Sequence, residues 1–131
     1  MTDEIDDWLE RVMREFQAKE AAKELRRQRP YLMDLIEVLQ PYPRGLSRQM
    51  VLHNLEKRRQ RNGLRIPPKF EEAVQSVYNR HCVDSLVFIK RKARLSEGLF
   101  HSPGGKGSGI WAVHSERAAA WFTTKLVNSA E

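Results

Sequence analysis

From Thr2 to Gln28 the chain has no Gly or Pro, and Ile5, Leu9, Val12 and Phe16 recur at alternating spacings of four and three, with Trp8 and Met13 beside them. That period predicts one long amphipathic helix. Thr2 or Asp3 can cap it, and Lys23, Arg26 and Arg27 stand near its end, so its charges complement the helix dipole. The second half is nearly all charge and alanine, with Leu25 its one large apolar residue, and is expected to project or to pack lightly.

The residue before a proline is pushed out of the helical region, so Arg29 breaks this helix and Pro30 opens the next, with Leu32, Leu35, Ile36 and Leu39 as its inner face. It stops before "QPYPRG". Ser47 caps a third helix to about residue 61, with Met50, Val51 and Leu55 inward and Asn54 beside them, and Gly63 ends it in a left-handed conformation. After the extended "LRIPP", Pro68 opens a fourth helix to about residue 81, with Phe70, Ala73, Val74 and Val77 on one side. Over residues 83–98 the period does not separate a strand, a short helix and a basic loop. Residues 99–102 and 109–114 predict two strands around the glycine-laden "PGGKGSG", and Ser115 caps a last helix carrying Ala118, Ala119, Trp121, Phe122, Leu126 and Val127.

The expected fold class is therefore α+β, mostly α. The expected organisation is an amphipathic helix (1–28), a folded unit (30–114) and a C-terminal helix (115–131). With 131 residues, 40% hydrophobic, the chain suits one modest core.

Charge adds the first functional bias. The chain carries a net +6, yet residues 1–16 hold Asp3, Glu4, Asp6, Asp7, Glu10 and Glu15 against only Arg11 and Arg14, a net −4, which leaves +10 for residues 17–131. An acidic leading end on a cationic body fits a polyanionic partner that meets the body alone.

Other chemistry is poorly served. A single cysteine, Cys82, makes no intrachain disulfide and no Cys-rich zinc site, and it suits a reducing, cytoplasmic setting. His53, His81, His101 and His114 show no metal-binding spacing, so no metal and no cofactor is expected. "GGKGSG" lacks the phosphate-loop pattern, because Gly107 rather than Ser or Thr follows Lys106. No motif gathers a nucleophile with a base, so the chain is read as a non-enzyme, with no small-molecule ligand evident and no membrane segment or signal peptide.

"FEEAVQSVYNRHCVDS" followed by "LFHSPGGKGSGIWAV" resembles the winged helix-turn-helix modules of bacterial DNA-binding regulators and of some restriction-type proteins. The similarity covers about residues 30–114. The part "LVFIKRKARLSE" is longer than the family pattern. The resemblance implies a three-helix core with a β-hairpin wing, and double-stranded DNA as partner.

On that reading the fourth helix is the recognition helix. Taking Phe70 as the centre of its buried side, Glu72 and Asn79 point away, Gln75 and Ser76 flank them, and Lys69 and Arg80 border that face. Gln75 and Asn79 can pair with adenine, Ser76 can bond base or phosphate, and Glu72 can accept from cytosine N4. Phosphate contacts fall to Lys57, Arg58, Arg59, Arg61 and Arg65, to Lys90, Arg91, Lys92 and Arg94, to Lys69 and Arg80, and to Lys106 and Ser108 at the wing.

Ile5, Trp8, Leu9, Val12 and Phe16 form a stripe too large to leave in water, so it is expected either to fold back on the folded unit or to pair with a second copy or a partner protein, the homodimer being the first reading. A sequence-selective transcriptional regulator is the first reading. A winged-helix adaptor that recruits a partner through its N-terminal helix is the alternative.

Overall fold

The computed structural model describes residues 2–105 and 107–130, with side chains for residues 6–105 and 107–125. Within these, six helices surround a small antiparallel sheet, a mostly helical α+β architecture. The helices are α1 (Thr2–Gln28), α2 (Pro30–Leu39), α3 (Arg48–Arg61), α4 (Phe70–His81), α5 (Leu86–Arg91) and α6 (Ser115–Ala130); the strands are β1 (Leu46–Ser47), β2 (Phe100–His101) and β3 (Ile110–Val113).

α2 is buried nearly all round: Met33 and Val38 join the expected Leu32, Leu35, Ile36 and Leu39 in the core. Around it α3 contributes Val51, Leu52 and Leu55, and α4 contributes Phe70, Val74 and Tyr78. Met50, expected inward, is exposed, and Leu52 takes its place. Ser47 caps α3 by accepting from the Met50 N–H at 3.3 Å. At the other end Gly63, at φ +69°, carries a Schellman turn, its N–H bonding the Gln60 carbonyl and the Leu64 N–H the Arg59 carbonyl. α4 begins at Phe70 rather than at Pro68, because the Phe70 N–H closes a turn onto the Pro67 carbonyl first.

The hairpin is shorter than expected and has a third partner. β1, a two-residue strand that no period signals, pairs with β3 (Leu46 opposite Trp111, Ser47 opposite Ile110), while β2 pairs on the other side. The sheet order is thus β1-β3-β2. Gly45 permits this: at φ +89° a Cβ there would stand 2.7 Å from the Trp111 carbonyl oxygen. Residues 83–98 resolve into α5 and a single 3-10 turn at Leu95–Glu97.

α1 packs lightly along its second half, as expected, but its apolar stripe from Trp8 to Phe16 does not fold back on the folded unit. The alanine-rich second half packs on α2 and α6, because small side chains let the helices approach and Leu25 reaches the core. Arg26 also pairs with Glu37, which Arg58 shares, so one carboxylate of α2 ties α1 to α3. The apolar first half is what projects: Trp8 is 54% exposed and Phe16 62%, with Leu9, Val12 and Met13 also open. α6 closes the core with Ala118 and Trp121 and is capped by His114 rather than Ser115, the Arg117 N–H lying 3.4 Å from His114 Nδ1. Lys106 and the side chains of Ile5, Leu126 and Val127 fall outside the described residues.

Candidate nucleic-acid interface

α4 turns Phe70, Val74, Tyr78 and His81 into the core. Glu72, Gln75, Ser76 and Asn79 stand at i, i+3, i+4 and i+7, so they share the opposite face. Glu72 and Ser76 are exposed, whereas Gln75 and Asn79 are half-buried. The half-burial has a cause. Arg48 Nε donates to Gln75 Oε1 at 2.7 Å, and Gln75 Nε2 donates to Asn79 Oδ1 at 3.1 Å.

This relay fixes which end of each amide faces out. Gln75 is engaged through both its oxygen and its nitrogen. Among the described residues nothing accepts from Asn79 Nδ2, and a carboxamide oxygen has a second lone pair, so Asn79 keeps the donor and acceptor that a purine edge needs. Arg48 was not among the residues expected here. Its signal in the sequence is slight: a cation at the first position of a helix opposes the dipole, which hints at a tertiary partner.

The hairpin reaches the same surface. Its turn is held by Ser108, whose Oγ donates to the Pro103 carbonyl at 2.8 Å and accepts from the Ile110 N–H at 3.3 Å. At its base the Gly109 carbonyl accepts from the Arg48 N–H at 2.9 Å. One residue therefore anchors both the hairpin, through its backbone, and the amide relay, through its side chain. Gly107, Gly109 and Ser102 line a cleft of about 350 Å³ together with Gln75, Asn79 and Val87. A second cleft of about 400 Å³ runs along the outer side of α4 between Arg48, Glu72, Ser76 and Arg80, and it shares Gln75, Asn79 and Val87 with the first.

The floor of the first cleft is aromatic. Tyr78 stacks on Trp111 with ring centroids 4.0 Å apart and planes 9° from parallel, and on Phe100 at 5.4 Å. Its hydroxyl bonds the His101 carbonyl at 3.0 Å and Ser102 Oγ at 3.1 Å, so the cleft wall is rigid. Burial pushes the Tyr78 phenol far above its ordinary value. His81 is buried behind it, 3.2 Å from the Glu97 carbonyl, and burial holds it below the usual histidine range, with Arg29, Arg91 and Arg80 acting in the same direction.

The cations divide into two sets. Arg80 borders the amide face, and Lys69, Lys90, Lys92 and Arg94 are exposed on or beside α4 and α5. Arg58, Arg59 and Arg61 at the end of α3 do not join them. Arg58 is paired with Glu37 and lies 3.5 Å from Asp34, where burial raises the carboxyl and Arg58 opposes that rise. Arg59 donates to the Arg65 carbonyl at 2.8 Å and lies over the rings of Tyr31 and Phe70. Arg61 lines a different cleft with Tyr42, and it stands roughly 20 Å along the helix axis from Arg48. Lys57 and Arg65 are exposed. Arg91 is engaged internally, donating to the Arg80 carbonyl at 3.1 Å and lying 3.7 Å from Glu97. Ser108 spends its hydroxyl on the hairpin turn.

Among the described residues no cluster of His, Cys, Asp and Glu is placed to hold a metal ion, and no helix is long and apolar enough to cross a membrane. Comparison with protein-family models, with curated proteins and with solved structures finds no match.

Proposed function

We propose that this chain is a winged-helix protein that binds double-stranded DNA selectively, as a small bacterial transcriptional regulator of the cytoplasm. It acts by binding, without a catalytic step. The three-helix core is α2, α3 and α4; α4 is the recognition helix and β2–β3 the wing. The observation that carries this reading is that the outward amides of α4 and the glycine hairpin line one cleft and are tied together through Arg48. Helices present amides to base edges in the major groove, and cations such as Arg80, Lys90 and Lys92 supply affinity that is independent of sequence.

The test is a mobility-shift titration on a randomised duplex pool, followed by selection of a preferred site. Asn79→Ala is expected to weaken the selected site by about 1 to 3 kcal/mol and to relax selectivity, whereas Arg80→Ala weakens all duplexes alike and flattens the salt slope by about one unit. Equal effects of both substitutions on random DNA defeat selective readout.

α1 supplies the second half of the proposal, a homodimer. Trp8 and Phe16 are more than half exposed, and with Leu9, Val12 and Met13 they offer on the order of 500 Å² per copy, so a pair buries about the area of a small specific interface. Antiparallel pairing also sets Asp6, Asp7 and Glu10 of one α1 against Arg14 and Lys19 of the other and opposes the helix dipoles. Two copies present two recognition helices to a two-fold site. Light scattering on the intact chain should report a dimer and on Leu9→Glu/Phe16→Glu a monomer with an unchanged circular-dichroism spectrum; a monomeric intact chain defeats this half. The adaptor reading rests on the same stripe, and it takes over if no duplex binds.

A further inference from the structure

α5 distributes its apolar side chains unevenly. Phe88 is buried, whereas Leu86, Val87 and Ile89 stay 52%, 49% and 57% exposed. Yet the helix is firmly tied down. Ser85 Oγ accepts from the Phe88 N–H at 3.1 Å and donates to the Asn79 carbonyl. Beside it, Asp84 accepts from the Ser102 N–H at 2.8 Å, and at the far end Arg91 donates to the Arg80 carbonyl. These bonds set Val87 at the meeting of the two clefts, next to Gln75 and Asn79.

A single exposed aliphatic side chain is ordinary on a surface, but one fixed by a rigid frame beside an amide with free hydrogen-bonding capacity gains when a partner covers it, at little cost in ordering. Whatever does so here must bring a small apolar group into surroundings that hold the Asn79 amide and the Arg80 guanidinium. The major groove of DNA offers such a pairing. The thymine C5 methyl is its apolar feature, and it lies in the same base pair as the adenine N6/N7 edge that a carboxamide reads.

We propose that Val87 packs on the methyl of a thymine whose adenine partner is read by Asn79, so that α5, outside the three-helix core, is a specificity element for an A·T pair. This rests on the DNA-binding reading above. Gln75 is held by Arg48 and serves as the support that aims Asn79, and Glu72 at the other end of the face disfavours phosphate there.

The experiment uses the intact chain and the duplex recovered by selection, with its thymidines replaced one at a time by deoxyuridine. That exchange deletes the methyl and keeps every hydrogen bond. At one thymidine per half-site the wild type is expected to lose about four-fold in affinity, the worth of burying one methyl. Val87→Ala, at an exposed position, removes the contact from both half-sites, so it should bind the thymidine duplex about sixteen-fold more weakly than wild type and should no longer distinguish it from the deoxyuridine duplex. Arg80→Ala should weaken both and keep their ratio. If the wild type binds every deoxyuridine duplex as well as the parent, or if Val87→Ala keeps the ratio, the methyl contact is overturned while DNA binding stands. If no duplex binds at all, both readings fall.

Discussion

Arg48 Nε and Gln75 Oε1 lie 2.7 Å apart, which joins the first residue of α3 to the outward face of α4. The bond is charge-assisted and part-buried, and its main effect is orientation. Arg48→Ala should lower stability by only about 1 kcal/mol but free the Gln75 amide to rotate, broadening the sequences recovered by selection. Chemical denaturation and repeat selection measure the two effects separately. An unchanged consensus with Arg48→Ala means that the relay aims nothing.

Gly45 lets β1 meet β3. An added Cβ would press on the Trp111 carbonyl oxygen at 2.7 Å and on Ile110 Cγ2 at 2.8 Å, at a φ of +89° that L-residues rarely adopt. Gly45→Ala should therefore cost about 1 to 3 kcal/mol of unfolding free energy. A loss below about 0.5 kcal/mol in urea denaturation shows that the two strands need not approach so closely.

Tyr78 separates packing from hydrogen bonding. Its ring is stacked on Trp111 and its hydroxyl meets His101 and Ser102. Tyr78→Phe keeps the stack and should cost about 1 kcal/mol. Tyr78→Ala empties the space against Trp111 and should cost about 3 to 5 kcal/mol. Similar losses from both substitutions, compared by thermal unfolding, place the energy in the hydroxyl.

His81 makes stability depend on pH. Burial lowers its folded-state pKa below the 6.5 of a free imidazole, so the unfolded chain binds a proton more readily. The resulting stability is complete above about pH 6.5 and is lost as pH falls from there through the lower folded-state value. Asp34 works in the opposite direction, since burial raises its pKa and protonation favours the folded state. His81→Gln should flatten the fall in melting temperature between pH 7.5 and about pH 5.5; an equal fall in wild type and variant removes His81 as the cause.

Local chemistry made much of this fold readable in the chain itself. The breaks at Arg29-Pro30 and Gly63, the cap at Ser47 and the spacing of Phe70 and Val74 depend on neighbours within a few residues, and they set α1, α2, α3 and α4 nearly to their ends. The outward set Glu72, Gln75, Ser76 and Asn79 followed from the same period, because a helix with one buried side has only one side left.

What needed the tertiary structure were the features whose partners are distant in sequence. A two-residue strand has no period of its own, and β1 exists because β3 returns to it past Gly45. The arginines of α3 look alike in sequence, yet Asp34, Glu37 and the Arg65 carbonyl engage Arg58 and Arg59, while Arg48 alone reaches the α4 amides. α5 gave no readable pattern because one buried Phe88 anchors it and its other apolar residues face out. Composition and period determine which residues can lie on a surface; only the packing of helix on helix and hairpin on helix decides which of them meet, because that choice is made by contacts between residues many positions apart.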